Sequence, residues 1–213
     1  MPKDLDEWRF HAGRVYDFES IKEPYVVSLI ESLDFETKHP VVIDVGGGSC
    51  SIVHSARLPF RRHFLTATVD IGVSDCPEYA NPLLKCDIET LVGEEDTTAM
   101  GALARFLQTS TKGEDPRVDL VVYSEILNYI DFRGVMRWFD SLLKPGGFTV
   151  VANLPTRGYQ DLFSDRGVKT NEQLIDYMNR ELGHDLVELR YPWGAKEGDE
   201  GFLVVATQKQ NGL

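Results

Sequence analysis

The sequence is poor in cysteine. Cys50, Cys76 and Cys86 are the three in 213 residues, and no Cys-x-x-Cys pair occurs. An odd number without close spacing argues against a disulfide framework and against a zinc site, and it points to a reducing cytoplasm. Long apolar runs are also missing: no stretch reaches the eighteen or so residues a transmembrane helix needs. The start, Met1-Pro2-Lys3-Asp4-Leu5-Asp6-Glu7, lacks the basic and then apolar pattern of a secretory signal. Basic residues are in deficit, with 22 Lys and Arg against 34 Asp and Glu, a net charge of -12. Nucleic-acid affinity comes largely from Lys and Arg on phosphates, so no nucleic-acid partner is expected, and no membrane partner. The basic cluster Arg57, Arg61, Arg62 and His63 reads as a solvated helix end. The expected partner is a small molecule; the oligomeric state is left open.

Three ligand signatures are absent as well. No Gly-Lys-Ser/Thr follows a glycine loop, which excludes a Walker-type phosphate site. The dinucleotide fingerprint Gly-x-Gly-x-x-Gly fails at Ser51. No cysteine follows a proline, so a covalent cytosine mechanism is not indicated.

What is present is the composition of a globular protein, 42% apolar and 26% charged, at a length that suits one domain. Short β-rich runs alternate with helical periods, which predicts an α/β fold. Val26, Leu29, Ile30 and Leu33 fall on one helical face, with Pro24 in the first turn. Residues 40–45 form a continuous apolar run ending in an acid, Asp44, as in a buried parallel strand. Further strands are expected over 64–69, 81–86, 118–123 and 148–153, and helices over 51–58 and 98–108. Asp131 opens a helix with Phe132, Val135, Met136, Phe139 and Leu142 on one face, stopped by Lys144-Pro145-Gly146-Gly147. Thr170 and Gln173 make a capping box for a helix ending at Gly183. Strands over 185–191 and 202–207 have no crossover helix between them and should pair antiparallel. The expectation is a seven-stranded, mostly parallel sheet with helices on both faces and an antiparallel C-terminal hairpin. It forms one domain: a helical cap (1–38), a cofactor-binding core (39–155), a substrate-side insertion and helix (156–183) and closing strands (184–213).

The first strand ends Asp44-Val45-Gly46-Gly47-Gly48-Ser49. Glycines admit positive φ and let a ligand approach the backbone, and ligands of parallel sheets sit at the carboxyl strand ends. Asp70 ends the second strand, where a carboxylate can accept both hydroxyls of a ribose. Asp87 ends the third, where its side chain or a neighbouring N–H can meet an adenine edge. An acid at such a place is otherwise a helix N-cap.

These stretches, with Thr68-Val69-Asp70-Ile71, Cys86-Asp87-Ile88, the run 119–130 and Leu142-Leu143-Lys144-Pro145-Gly146-Gly147-Phe148, resemble the class I, Rossmann-like methyltransferases that use S-adenosylmethionine, of the small-molecule type. The resemblance covers roughly residues 40 to 155. It implies methyl transfer to O or N of a small-molecule acceptor, with S-adenosylhomocysteine as product. It also implies site roles. Asp44 holds the loop and faces the methionine ammonium through water. Gly46, Gly47 and Gly48 let the cofactor lie against the backbone. Asp70, with Ile71 beside it, binds the ribose, and Asp87 and Ile88 flank the adenine. Tyr123 and Ser124 stand beneath the methionine part and the sulfonium. Candidates for catalysis are Glu125, Tyr129 and Tyr16; Tyr16, Asn128, Tyr129, Asn153, Tyr159 and His184 are candidates for acceptor contact, with the stretch 155–169 lining the pocket. No metal is expected. His54 reads as structural.

Two positions depart from the family pattern. Cys50 stands where a third glycine is usual, and Asn128-Tyr129 stand where many small-molecule members carry Glu-His. The general base is therefore open. No Asn/Asp-Pro-Pro-Tyr follows the fourth strand, which disfavours amide and exocyclic-amine methylation of that type. Two alternatives remain: an NAD(P)-dependent oxidoreductase, which Asp70 would also suit, and a non-catalytic methyltransferase-like partner protein.

Overall fold

The computed structural model describes residues 25–47, 64–71, 83–113, 115–154, 163–190 and 203–211. Seven strands make one sheet: β1 (Val41–Val45), β2 (Leu65–Asp70), β3 (Leu83–Lys85), β4 (Val118–Ser124), β5 (Leu143–Asn153), β6 (His184–Arg190) and β7 (Leu203–Lys209), in the order β3-β2-β1-β4-β5-β7-β6. Strands β1 to β5 are parallel, and β7 runs against β5 and β6. This is the mixed sheet expected, antiparallel hairpin included.

Alternation along the strands divides the core in two. Val42, Leu120, Val122, Val150 and Ala152 meet the helix α1 (residues 25–32) through Val26, Leu29 and Ile30, with Leu33 just past its end. On the opposite face Ile43, Val45, Val121, Tyr123 and Val151 meet α2 (Ile88–Val92), α3 (Thr97–Ser110), α4 (Phe132–Ser141) and α5 (Asn171–Asp176), the last continued by a π-helical turn over Tyr177–Glu181. The apolar face of α4 is the one its period predicts: Phe132, Val135, Met136 and Phe139 are buried, each worth about 1.5–3 kcal/mol. Leu142 falls just past that face, as the C-cap.

Helix starts follow the acids. Asp96 caps α3 by accepting from the N–H groups of Thr98 and Ala99, and Asp131 caps α4 by accepting from Gly134. Thr170 Oγ1 accepts from Gln173 N at 3.1 Å. The return arm differs from the expected box: Gln173 Oε1 accepts from Lys169 N at 2.9 Å, one residue earlier. The short helix α2 was not among the expected elements. The expected helix over 51–58 lies outside the described residues.

The Lys-Pro-Gly-Gly turn sits at the amino ends of the strands. Lys144 Nζ donates to Asp119 Oδ1 at 2.9 Å, and Asp119 Oδ2 accepts from Val41 N at 2.8 Å. One carboxylate thus ties the starts of β1, β4 and β5 together. Gly146 has φ 75°, and a Cβ on Gly147 would stand 2.9 Å from the Lys144 carbonyl. The glycines serve a tight entry into β5, at the end of the sheet away from the glycine loop.

Candidate cofactor crevice

Strand order reverses between β1 and β4, and the carboxyl ends flanking such a reversal form a crevice. β1 delivers Asp44, Gly46 and Gly47 to it. Gly46 has φ 76° and donates its N–H to Val69 O at 2.9 Å, which pins the loop to the end of β2. A Cβ on Gly46 would stand 2.5 Å from Ile126 Cβ, and one on Gly47 about 3 Å from the Asp44 carboxylate. Both glycines are therefore required by the protein's own packing before any ligand is considered. Asp44 is fully buried beneath the turn.

β2 delivers Asp70, half-buried, with Ile71 just after it. The Asp70 carbonyl accepts from Cys86 N at 3.2 Å, so the ends of β2 and β3 are held together. The Cys86 thiol reports the local field: burial first, then the negative charges of Asp96, Asp87 and Asp70, push it up to about 12. The thiol stays protonated and a poor nucleophile. Asp87 caps α2, with Oδ1 accepting from Glu89 N at 2.8 Å, so its side chain is spoken for by the helix. Ile88 packs into the core between sheet and helices.

β4 delivers Tyr123, Ser124 and Glu125. The Tyr123 ring lies inside the core, edge-on to Phe139 at 6.3 Å, with its hydroxyl pushed well above the usual tyrosine range by burial, then by Asp140 and Tyr177. Its side chain faces the helices, so what it can offer the crevice is main chain. Ser124 and Glu125 are half-buried. Glu125 has φ 53° and donates its N–H to Ala152 O at 2.8 Å. A non-glycine residue at such a φ directly after a strand is uncommon, and strained positions of this kind cluster at functional sites.

Past Glu125 the chain meets the end of β5. Asn153 Nδ2 donates to Asn128 Oδ1 at 3.1 Å, and Asn128 Nδ2 donates to Leu154 O at 2.9 Å, all in the interior. The segment 164–168 seats on this pair: Ser164 N and Val168 N donate to Asn128 O and Leu127 O. A Cβ on Gly167 would stand 2.2 Å from the Asn128 carbonyl oxygen, so only glycine fits there. Tyr129 packs edge-on against Phe163 at 5.2 Å. Glu125, Asn128, Tyr129 and Asn153 are thus brought together at the ends of β4 and β5. Tyr16, Gly48, Cys50, His54, His63 and Tyr159 lie outside the described residues.

One expectation is corrected. His184 is fully buried at the opposite end of the sheet, opposite Lys209 at the end of β7, with Nε2 donating to Asp140 Oδ1 at 2.7 Å and Nδ1 3.0 Å from Thr207 Oγ1. Both ring nitrogens are used in the scaffold, and no face is left for an acceptor. Two features of the crevice were not foreseen: Ile126, whose branched side chain fills the space above Gly46, and the positive φ of Glu125, which no sequence rule assigns to a glutamate.

Solved structures similar in fold include methyltransferases. A chain of the complex between the Haloferax volcanii Trm112 methyltransferase activator and a methyltransferase is 15% identical, with TM-score 0.64, over 98% of this chain and 97% of that one. The N-methyltransferase NodS of Bradyrhizobium japonicum WM9, in complex with S-adenosylhomocysteine, is 18% identical at TM-score 0.55, over 92% and 90%. Human N-acetylserotonin methyltransferase in complex with S-adenosylmethionine is 12% identical at TM-score 0.55, over 92% of this chain and 54% of that one. The sequence matches no family model and no curated protein. At these identities the likeness is one of fold: the chain has the Rossmann-like fold of the class I S-adenosylmethionine-dependent methyltransferases.

Proposed function

We propose that the protein transfers the methyl group of S-adenosylmethionine to an oxygen or nitrogen of a small-molecule acceptor. The observation that carries this reading is the sign of the crevice. Asp44, Asp70, Asp87 and Glu125 stand at the ends of β1, β2, β3 and β4. S-adenosylmethionine brings a sulfonium and an ammonium against one carboxylate, together with free ribose hydroxyls. A dinucleotide brings a diphosphate, which carboxylates at these strand ends repel. The same acids that leave ribose recognition ambiguous therefore favour the cationic ligand over NAD(P).

The residues fit such a ligand in distinct ways. Asp70 accepts from the ribose hydroxyls. Asp44 fixes the turn over which the methionine part lies, and Ser124 with Glu125 borders it from β4. S-adenosylmethionine, when bound, supplies an already activated methyl group, so the protein's task is to align the acceptor and exclude water. Tyr129 and Asn153 border the acceptor side, with Asn128 holding Asn153 in place, Tyr16 and Tyr159 are further candidates for acceptor contact, and Glu125 takes a proton where the acceptor must lose one. The cytoplasm is the expected compartment. A second reading, that the chain works with a protein partner, is favoured by the Trm112 complex.

Replacing Asp70 by alanine should weaken S-adenosylhomocysteine binding by about 1.5–3 kcal/mol for each charge-assisted hydrogen bond lost. Calorimetric titration reads this as a rise of at least tenfold in Kd, with the melting temperature little changed. An unchanged Kd removes Asp70 from the site. Transfer itself is tested with methyl-labelled S-adenosylmethionine and a panel of amines and phenols: label in any acceptor supports the reading, and binding without transfer across the panel favours a non-catalytic role.

A further inference from the structure

Among the described residues, the exposed large apolar side chains all lie on β6: Leu186, Val187 and Leu189 are 48%, 45% and 37% exposed. β6 is also an outer strand of the sheet, bonded among the described residues to β7 on one side only. An outer strand with apolar side chains is a template for another strand.

The register identifies which strand fits. A bulge between Leu186 and Glu188 shifts the alternation: Leu186 lies opposite Thr207 and Leu189 opposite Val205, so the two leucines share one face although they are three residues apart. Asp185 and Arg190, opposite Gln208 and Val204, share the other. Arg190 is held there by Glu188 at 2.6 Å and by Ser28 of α1. We propose that β6 pairs antiparallel with β6 of a second copy of this chain, about a two-fold axis between Val187 and Glu188.

In that register Leu186 meets the second copy's Leu189 on one face, and Asp185 meets its Arg190 on the other. The two-fold axis repeats both pairs, as a closed isologous contact requires. A slip of one residue in either direction sets Leu186 opposite Glu188 or opposite Arg190, and the match of faces is lost. In this register the strand is complementary to itself on both faces, which makes a second copy its partner. Apolar and opposite-charge pairs directly across two strands are the stabilising units of a sheet.

Sedimentation velocity from micromolar to millimolar protein tests the pairing. The weight-average mass should rise from 24.0 kDa toward twice that value. Leu186→Glu with Leu189→Glu should hold the mass at a single chain while the melting temperature stays unchanged. Asp185→Arg and Arg190→Asp, taken singly, should each weaken association about tenfold, and the two together should restore it. A wild-type chain of single mass throughout overturns the proposal. So does a double exchange no better than either single change, and so does unfolding by the leucine substitutions, which would mean that the chain covers this edge itself.

Discussion

Gly46→Val is expected to abolish cofactor binding and to destabilise the fold together. The residue sits at φ 76°, where a β-branched side chain costs about 1–2 kcal/mol, and its Cβ would stand 2.5 Å from Ile126 Cβ. Forcing Ile126 aside adds about 1–3 kcal/mol, as in an overpacked core. Ile126 immediately follows Glu125, so the displacement passes to the end of β4 as well as to the loop after β1. Thermal unfolding should show the combined loss of about 2–5 kcal/mol, and S-adenosylhomocysteine should no longer raise the melting temperature. Gly46→Ala combined with Ile126→Gly, which removes the clashing Cβ, separates the two causes. Relief of the clash should recover the packing part and leave the cost of the left-handed backbone. A valine variant as stable as the parent would mean that the turn has another conformation.

Asp140→Ala should cost about 3 kcal/mol without touching the crevice. Asp140 ends α4 and accepts from His184 Nε2 at 2.7 Å and from Lys209 Nζ at 3.0 Å, while Lys209 Nζ also donates to the carbonyl oxygens of Asp140 and Leu143. Burial pushes the Asp140 carboxyl up, but the hydrogen bonds from His184 and Lys209 outweigh it and hold the group below its ordinary range. A carboxyl lowered in the folded state stabilises above its unfolded pKa, and that share disappears as the pH falls through the folded value. The wild type should therefore lose stability in acid, below the ordinary aspartate range, and the variant should lack that part of the pH dependence. Denaturant titrations from neutral pH downward measure both. Loss of cofactor binding by Asp140→Ala at full folding would contradict the separation of this cluster from the crevice.

The frame of the sheet was legible because its strands announce themselves. Val41 to Val45 is apolar but for Asp44 because both faces of β1 are covered, and the apolar face of α4 has a clear helical period. The five residues of α2 escaped notice because one turn is too short for a period, although Asp87 as N-cap and the buried pair Ile88 and Leu91 carry its signal. The positions of Asp44 and Asp70 followed from strand ends alone. What the side chains do there was less legible. Asp87 and Ile88 follow a strand in sequence, yet one caps a helix and the other enters the core. Tyr123 obeys the alternation of β4, which turns it inward, a point that motif resemblance does not weigh. His184 looked like a polar residue available for chemistry, and only the pairing of β6 with β7 brings Asp140 and Thr207 to its two nitrogens. The Lys144 turn, the most characteristic stretch of the sequence, proves to be scaffold at the far end of the sheet.

On the proposed function the crevice takes an adenosyl amino acid and not a dinucleotide. Parallel calorimetric titrations of the purified chain with S-adenosylhomocysteine and with NADH test it most directly. Saturable binding of S-adenosylhomocysteine, weakened in Asp70→Ala, and no heat of binding with NADH are expected; saturable NADH binding with none for S-adenosylhomocysteine would contradict that reading.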